Sequence, residues 1–122
     1  MNVAGHPGLR AAAFLYGSVQ ATTTPGHPAG CLGVQGSLAA GEAGRSARDT
    51  LAAWRDNGIW LLRERFQRAV DEGDLPAGTD PGLLARYLMA VANGIAVQAA
   101  GGATRDDLHK VADMALRHWP PA

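Results

Sequence analysis

The chain has 122 residues, 47% of them hydrophobic, which is enough for one domain to bury a core without disulfides. Eleven basic residues balance eleven acidic ones, and the balance is local: Arg10 and Glu42 alone in residues 1–44, six of each sign in 45–75, four of each in 76–122. That leaves no basic stripe to track nucleic acid, no apolar run expected to approach the roughly 20 residues a membrane helix needs, and one cysteine, Cys31, which fits a reducing cytoplasm.

In chain order, residues 1–8 hold Gly5, Pro7 and Gly8 and are expected to be a loose lead-in. Residues 9–20 are mostly apolar and suit a short helix. Arg10 ahead of Ala11–Tyr16 has the outline of a signal peptide, but Gly17 breaks the run and the charge is solitary. Thr22-Thr-Thr-Pro-Gly-His-Pro28 reads as a loop, because two prolines remove donors and three β-branched residues precede them. Residues 29–40 form the next expected helix, with Cys31, Val34 and Leu38 on one face. Gly33 and Gly36 weaken that helix and make sense where another backbone passes close by.

Residues 41–45 read as a turn and Ser46 as the cap of a long helix running to about Glu72, with Asp49 completing a capping box. Its apolar set includes Leu51, Trp54, Gly58, Leu61, Leu62, Phe66, Ala69 and Val70, and Asn57-Gly58 near its middle is a candidate kink. Glu64 and Arg68 are spaced as an i, i+4 pair. Asp80 then caps a helix that starts at Pro81 and runs to about Ala100. This helix is apolar almost all round, its polar sector holding little beyond Arg86 and Asn93. Such a helix is buried on nearly all sides, and in a domain this small one side must meet something outside its own fold. Gly101-Gly102 closes it. Thr104 caps the last helix, to about residue 119, with Leu108, Val111, Ala112, Ala115, Leu116 and Trp119 as one stripe. Asp106 with Lys110 and Asp113 with Arg117 are further i, i+4 pairs. The class is therefore all-α: an antiparallel bundle of about five helices.

No catalytic or cofactor chemistry stands out. His6, His27, His109 and His118 lack metal-ligand spacing, and one cysteine cannot complete a site. Ser18, Ser37 and Ser46 lack a nucleophile elbow, and Gly30, Gly33 and Gly36 follow no strand. Cys31 has no basic neighbour to activate it and reads as a small buried residue. Gln35, Asn57, Asn93 and Gln98 are polar residues on otherwise apolar helices; each either reaches solvent or a backbone carbonyl, or turns into an internal cavity and orients a ligand. Small residues in 29–40 and a possible bend at Asn57-Gly58 leave room for an apolar cavity with amides on its wall.

Five segments share an order and spacing. They are Pro28-Ala-Gly-Cys-Leu32, Asp71-Glu-Gly-Asp-Leu75, the Asp80-Pro81 helix with Gly94-Ile-Ala-Val-Gln98, the Gly102–Leu108 link, and Leu116-Arg-His-Trp-Pro120. In that order they resemble the C-terminal, effector-binding half of TetR/AcrR-type transcriptional regulators, over residues of about 9 to 119. The resemblance implies a homodimer, with helices 81–100 and 104–119 pairing as a four-helix bundle across a two-fold axis. Leu84, Leu88, Val91, Ile95, Leu108, Val111 and Ala115 would then lie at the seam. It also places Gln35, Leu38, Trp54, Asn57, Leu61, Met89 and Asn93 near an effector pocket for a small hydrophobic or aromatic molecule. The helix-turn-helix of that family does not fit in the few residues before Leu9. This chain is therefore expected to make no direct contact with nucleic acid or membrane, to be cytoplasmic, to need no cofactor and to catalyse nothing. The alternative is a free-standing helical interaction or ligand-binding module with no DNA partner.

Overall fold

The structure, a computed structural model, describes residues 7–26 and 41–120. Within them lie four helices: α1 (Pro7–Thr22), α2 (Gly41–Asp71), α3 (Pro81–Ala100) and α4 (Arg105–Leu116). No strand occurs among the described residues. The class expected from the sequence is the one observed. The fifth expected helix, at 29–40, falls outside the described residues.

Helix α1 is longer than the apolar pattern suggests. It begins at Pro7, whose missing N–H is one a first turn does not use. It reaches Thr22, where the sequence reads as a loop, because the threonines serve the helix end. The hydroxyls of Thr22, Thr23 and Thr24 donate to the carbonyls of Ser18, Val19 and Gln20 at 2.7, 2.6 and 2.7 Å. Side chains there supply the donors that the last carbonyls of a helix lack.

The expected start of α2 at Ser46 is also corrected. The helix opens at Gly41, so Ser46 is an exposed residue in its second turn and caps nothing. A capping signal marks where a helix can begin, while propagation adds a bond per residue and carries it through any tolerable stretch. α2 runs unbroken through Asn57-Gly58. It ends where expected: Gly73 takes a left-handed φ of +83°, the Asp74 N–H bonds the Ala69 carbonyl at 2.8 Å, and the Gly73 N–H bonds that of Val70 at 3.1 Å. This crossed pair is the Schellman closure that glycine permits. Gly102, at φ +100°, ends α3 in the same way, with Ala103 bonded to Gln98 and Gly102 to Ala99, both at 3.0 Å.

Both later caps are as the sequence indicates. Asp80 accepts from the Leu83 N–H at 3.1 Å ahead of α3, and Thr104 from the Asp107 N–H at 3.2 Å ahead of α4. α4 stops at Leu116, short of the expected 119, and Trp119 folds back so that its ring lies 5.8 Å from that of Phe66.

Helix α3 is the centre of the domain and packs against α1, α2 and α4. By length and composition it could cross a membrane, which corrects the expectation that no apolar run approaches that length. Here its apolar residues have protein to meet: Leu84, Ala85, Leu88, Ala92, Ile95, Ala96 and Ala99 are all buried. Leu15 and Val19 from α1, Phe66 from α2, and Leu108 and Ala112 from α4 complete the core. α1 also packs on α4, but α1 and α2 make no substantial contact with each other. The two diverge above α3, and this gap is the main feature of the domain.

Candidate functional site: a cavity between α1 and α2

The gap is a cavity of about 750 Å³, open to solvent on one side. Its floor is α3, through Leu88, Met89, Ala92, Asn93 and Ala96. Two alanines in that floor leave the space that longer side chains would fill. One wall is α1, through Arg10, Ala11, Ala13, Phe14, Ser18, Ala21 and Thr22; the other is α2, through Trp54, Arg55, Asn57, Gly58, Leu61, Leu62, Arg65 and Phe66. The volume lies in the range of small-molecule sites, and the surface has their composition, apolar with a few polar groups.

Spacing explains the α2 wall. Trp54, Gly58, Leu61 and Arg65 follow one another at four, three and four residues and form a single stripe. Trp54 is 63% exposed and Leu61 53%, since they border open space rather than packed neighbours. Gly58 marks the closest approach to the floor: a Cβ there would stand 3.3 Å from the Met89 Cε.

The polar groups divide by what they have left to offer. The Ser18 hydroxyl donates to the Phe14 carbonyl at 2.9 Å and that of Thr22 to the Ser18 carbonyl, so both protons are used within α1. Neither the Asn57 nor the Asn93 side-chain amide has a hydrogen-bond partner among the described residues. Of the expected pocket residues, Trp54, Asn57, Leu61, Met89 and Asn93 all line this cavity, while Gln35 and Leu38 lie outside the described residues. Sequence reasoning missed the α1 wall. Its signal was present as the i, i+4 repeat Arg10, Phe14, Ser18, masked by the parallel repeat Ala11, Leu15, Val19 that fills the core.

The residues expected at the seam mostly pack within the chain itself. Leu84, Leu88, Ile95 and Leu108 belong to the chain's own core, none more than 5% exposed, and Val91 and Ala115 pack against it. Of the seven, Val111 alone stands out at 45%. A helix cannot give one stripe both to its own core and to a partner. The outward stripe on α3 is Leu83, Ala90, Gly94 and Val97, continued on α4 by Val111 and Met114, all exposed.

Known proteins share this fold. Residues 7–116 match the model of the Tetracyclin repressor-like, C-terminal domain. The chain belongs to the TetR family. One similar solved structure is a cysteine mutant of the TetR family transcriptional regulator CifR complexed with 26 bp double-strand operator DNA, at 37% identity and a TM-score of 0.86 over 93% of this chain. Another is a TetR transcriptional regulator from Rhodococcus sp. RHA1, at 40% identity and a TM-score of 0.77 over 95% of this chain. This chain spans 60% and 62% of the length of those two. No curated protein matches the sequence significantly.

Proposed function

We propose that this chain is the effector-sensing and dimerising domain of a TetR-type transcriptional regulator. A small apolar or aromatic molecule occupies the cavity between α1 and α2 and controls DNA binding by a helix-turn-helix that this TetR-type domain serves. The observation that carries the reading is the cavity itself: α3 braces two helices that do not close on each other, and the resulting wall is mostly apolar with two amides that have no partner among the described residues. A protein that needed only a stable bundle would gain by filling that space.

Dimerisation uses the outward stripe of α3 and α4. Gly94 and Ala90 let a second helix approach closely, and Leu83, Val97, Val111 and Met114 supply apolar area around them. The chain at micromolar concentration is expected to sediment as a dimer. Val111→Glu, which would bury an unpaired carboxylate at the seam, should give a folded monomer. A wild-type monomer would remove the dimer.

The sensing role is tested by titrating phenylbutyramide while following Trp54 emission and the melting temperature. Binding to the folded state should raise the melting temperature with the logarithm of ligand concentration. Asn93→Phe, which inserts a ring into the floor, should abolish both responses and leave the dimer intact. If Asn93→Phe leaves the response unchanged, the ligand binds elsewhere.

A further inference from the structure

We infer that the molecule taken by this cavity is an organic anion, a small carboxylic acid with an apolar body whose carboxylate is held at the rim by Arg65. The inference rests on the cavity being the ligand site proposed above and specifies the chemistry of its occupant.

The charge of the lining is the first observation. Arg10, Arg55 and Arg65 border the cavity, and among the described residues no aspartate or glutamate does. Composition does not explain this. The chain as a whole is neutral, and residues 45–75, which supply two of the three arginines, hold equal numbers of each sign. Asp49, Asp56, Glu64 and Asp71 of α2 are exposed and lie off the lining. Arg10 and Arg55 are each engaged by interactions within the protein. Arg65 is exposed, and among the described residues it makes no hydrogen bond or ion pair.

Position is the second observation. Arg65 stands one turn beyond Leu61 on the stripe that begins at Trp54. Its methylenes therefore extend the apolar wall, and its guanidinium sits where that wall meets water. The third observation concerns donors. Ser18 and Thr22 have spent their protons on α1, so the groups able to make new bonds include the amides of Asn57 and Asn93, the Trp54 indole N–H and the Arg65 guanidinium. A guanidinium fork matches a carboxylate with two parallel bonds, and beside an apolar wall that attraction is stronger than in open water. A neutral ligand offers Arg65 at most an uncharged acceptor, and a cation meets three like charges.

The test uses the full chain and matched pairs: octanoate with octanamide, and phenylbutyrate with phenylbutyramide, each titrated by calorimetry. Each acid is expected to bind about tenfold more tightly than its amide, with the gap narrowing as salt is added. Arg65→Gln should remove the gap by weakening the acids far more than the amides, with the melting temperature of the free protein unchanged, while Arg65→Lys keeps part of it. If acid and amide bind equally, or the gap survives in Arg65→Gln, the charge assignment is overturned and the apolar cavity stands. If neither member of either pair binds, the ligand-site reading fails and this inference fails with it.

Discussion

Toward α3 and α4, helix α1 is filled and pinned; toward α2 it borders empty space. On the first side Ala11, Leu15 and Val19 are wholly buried. Polar contacts fasten the same side. The Tyr16 hydroxyl donates to the Asp113 carboxylate, and Arg105 at the start of α4 donates to the Thr23 hydroxyl and carbonyl at 2.9 and 3.0 Å. On the second side Arg10, Phe14 and Ser18 face a cavity of about 750 Å³. One helix thus carries two i, i+4 stripes with opposite tasks. The packed stripe supplies stability, and that frees the other stripe from having to.

The largest expected effect is on the packed side. Leu15→Ala should cost about 2–5 kcal/mol, the range for a leucine deleted from a closed core. Leu61→Ala, the same change on the cavity wall where the side chain is 53% exposed, should cost under about 1 kcal/mol. Urea unfolding midpoints measure both. Equal losses would mean that the cavity is closed in solution and that the two sides of α1 do not differ.

Much of this contrast was legible in the sequence, and the remainder was hidden for identifiable reasons. The α3 and α4 boundaries followed from Asp80-Pro81, Gly101-Gly102 and Thr104, because caps and left-handed glycines act locally. The α2 wall followed from Trp54, Asn57 and Leu61, since a lone stripe on a charged helix has one interpretation. On α1 two apolar-tolerant stripes overlap, so periodicity could not say which one lines a cavity. The outward stripe of α3 was hidden for a related reason. Leu83 and Leu84 are adjacent leucines about 100° apart around α3, and only the neighbours decide which is core. Charge spacing misled too: Asp113, spaced to pair with Arg117, accepts instead from Tyr16. An exposed i, i+4 pair gains so little that any better-placed donor displaces it.

A middle-sized effect would sharpen the comparison at the cavity's narrowest point. Gly58 weakens α2 by up to about 1 kcal/mol relative to alanine. In exchange it lets α2 approach Met89, whose Cε would lie 3.3 Å from an added Cβ. That atom is the end of a flexible side chain facing open space, so it can move aside. Gly58→Ala is therefore expected to raise stability by about 0.5 kcal/mol and to weaken ligand binding by narrowing the site. Thermal melts and ligand titration on the same variant separate the two effects. A loss of stability would show that α2 and α3 meet here as tightly as the core does.

The smallest effect concerns the pin between α1 and α4. The hydrogen bond from Tyr16 to Asp113 raises the phenol's pKa above its ordinary value of 10.0, with burial and the carboxylate's charge adding in the same direction. The ring also stacks on His109, centroids 5.6 Å apart and planes at 20°. A folded-state value above the unfolded one means that the native state favours the neutral phenol. Its contribution is therefore full below about pH 10 and is lost as pH rises through the higher folded value. The difference in melting temperature between wild type and Tyr16→Phe should be constant at neutral pH and should close at alkaline pH. In a Tyr87→Phe background Tyr16 is the one remaining tyrosine, and its ultraviolet titration should have a midpoint above 10. A midpoint at the ordinary value would mean that the hydroxyl is turned to solvent. The packed side of α1 would then be held by its apolar contacts and Arg105, and the ring of Tyr16 would contribute only its stacking on His109.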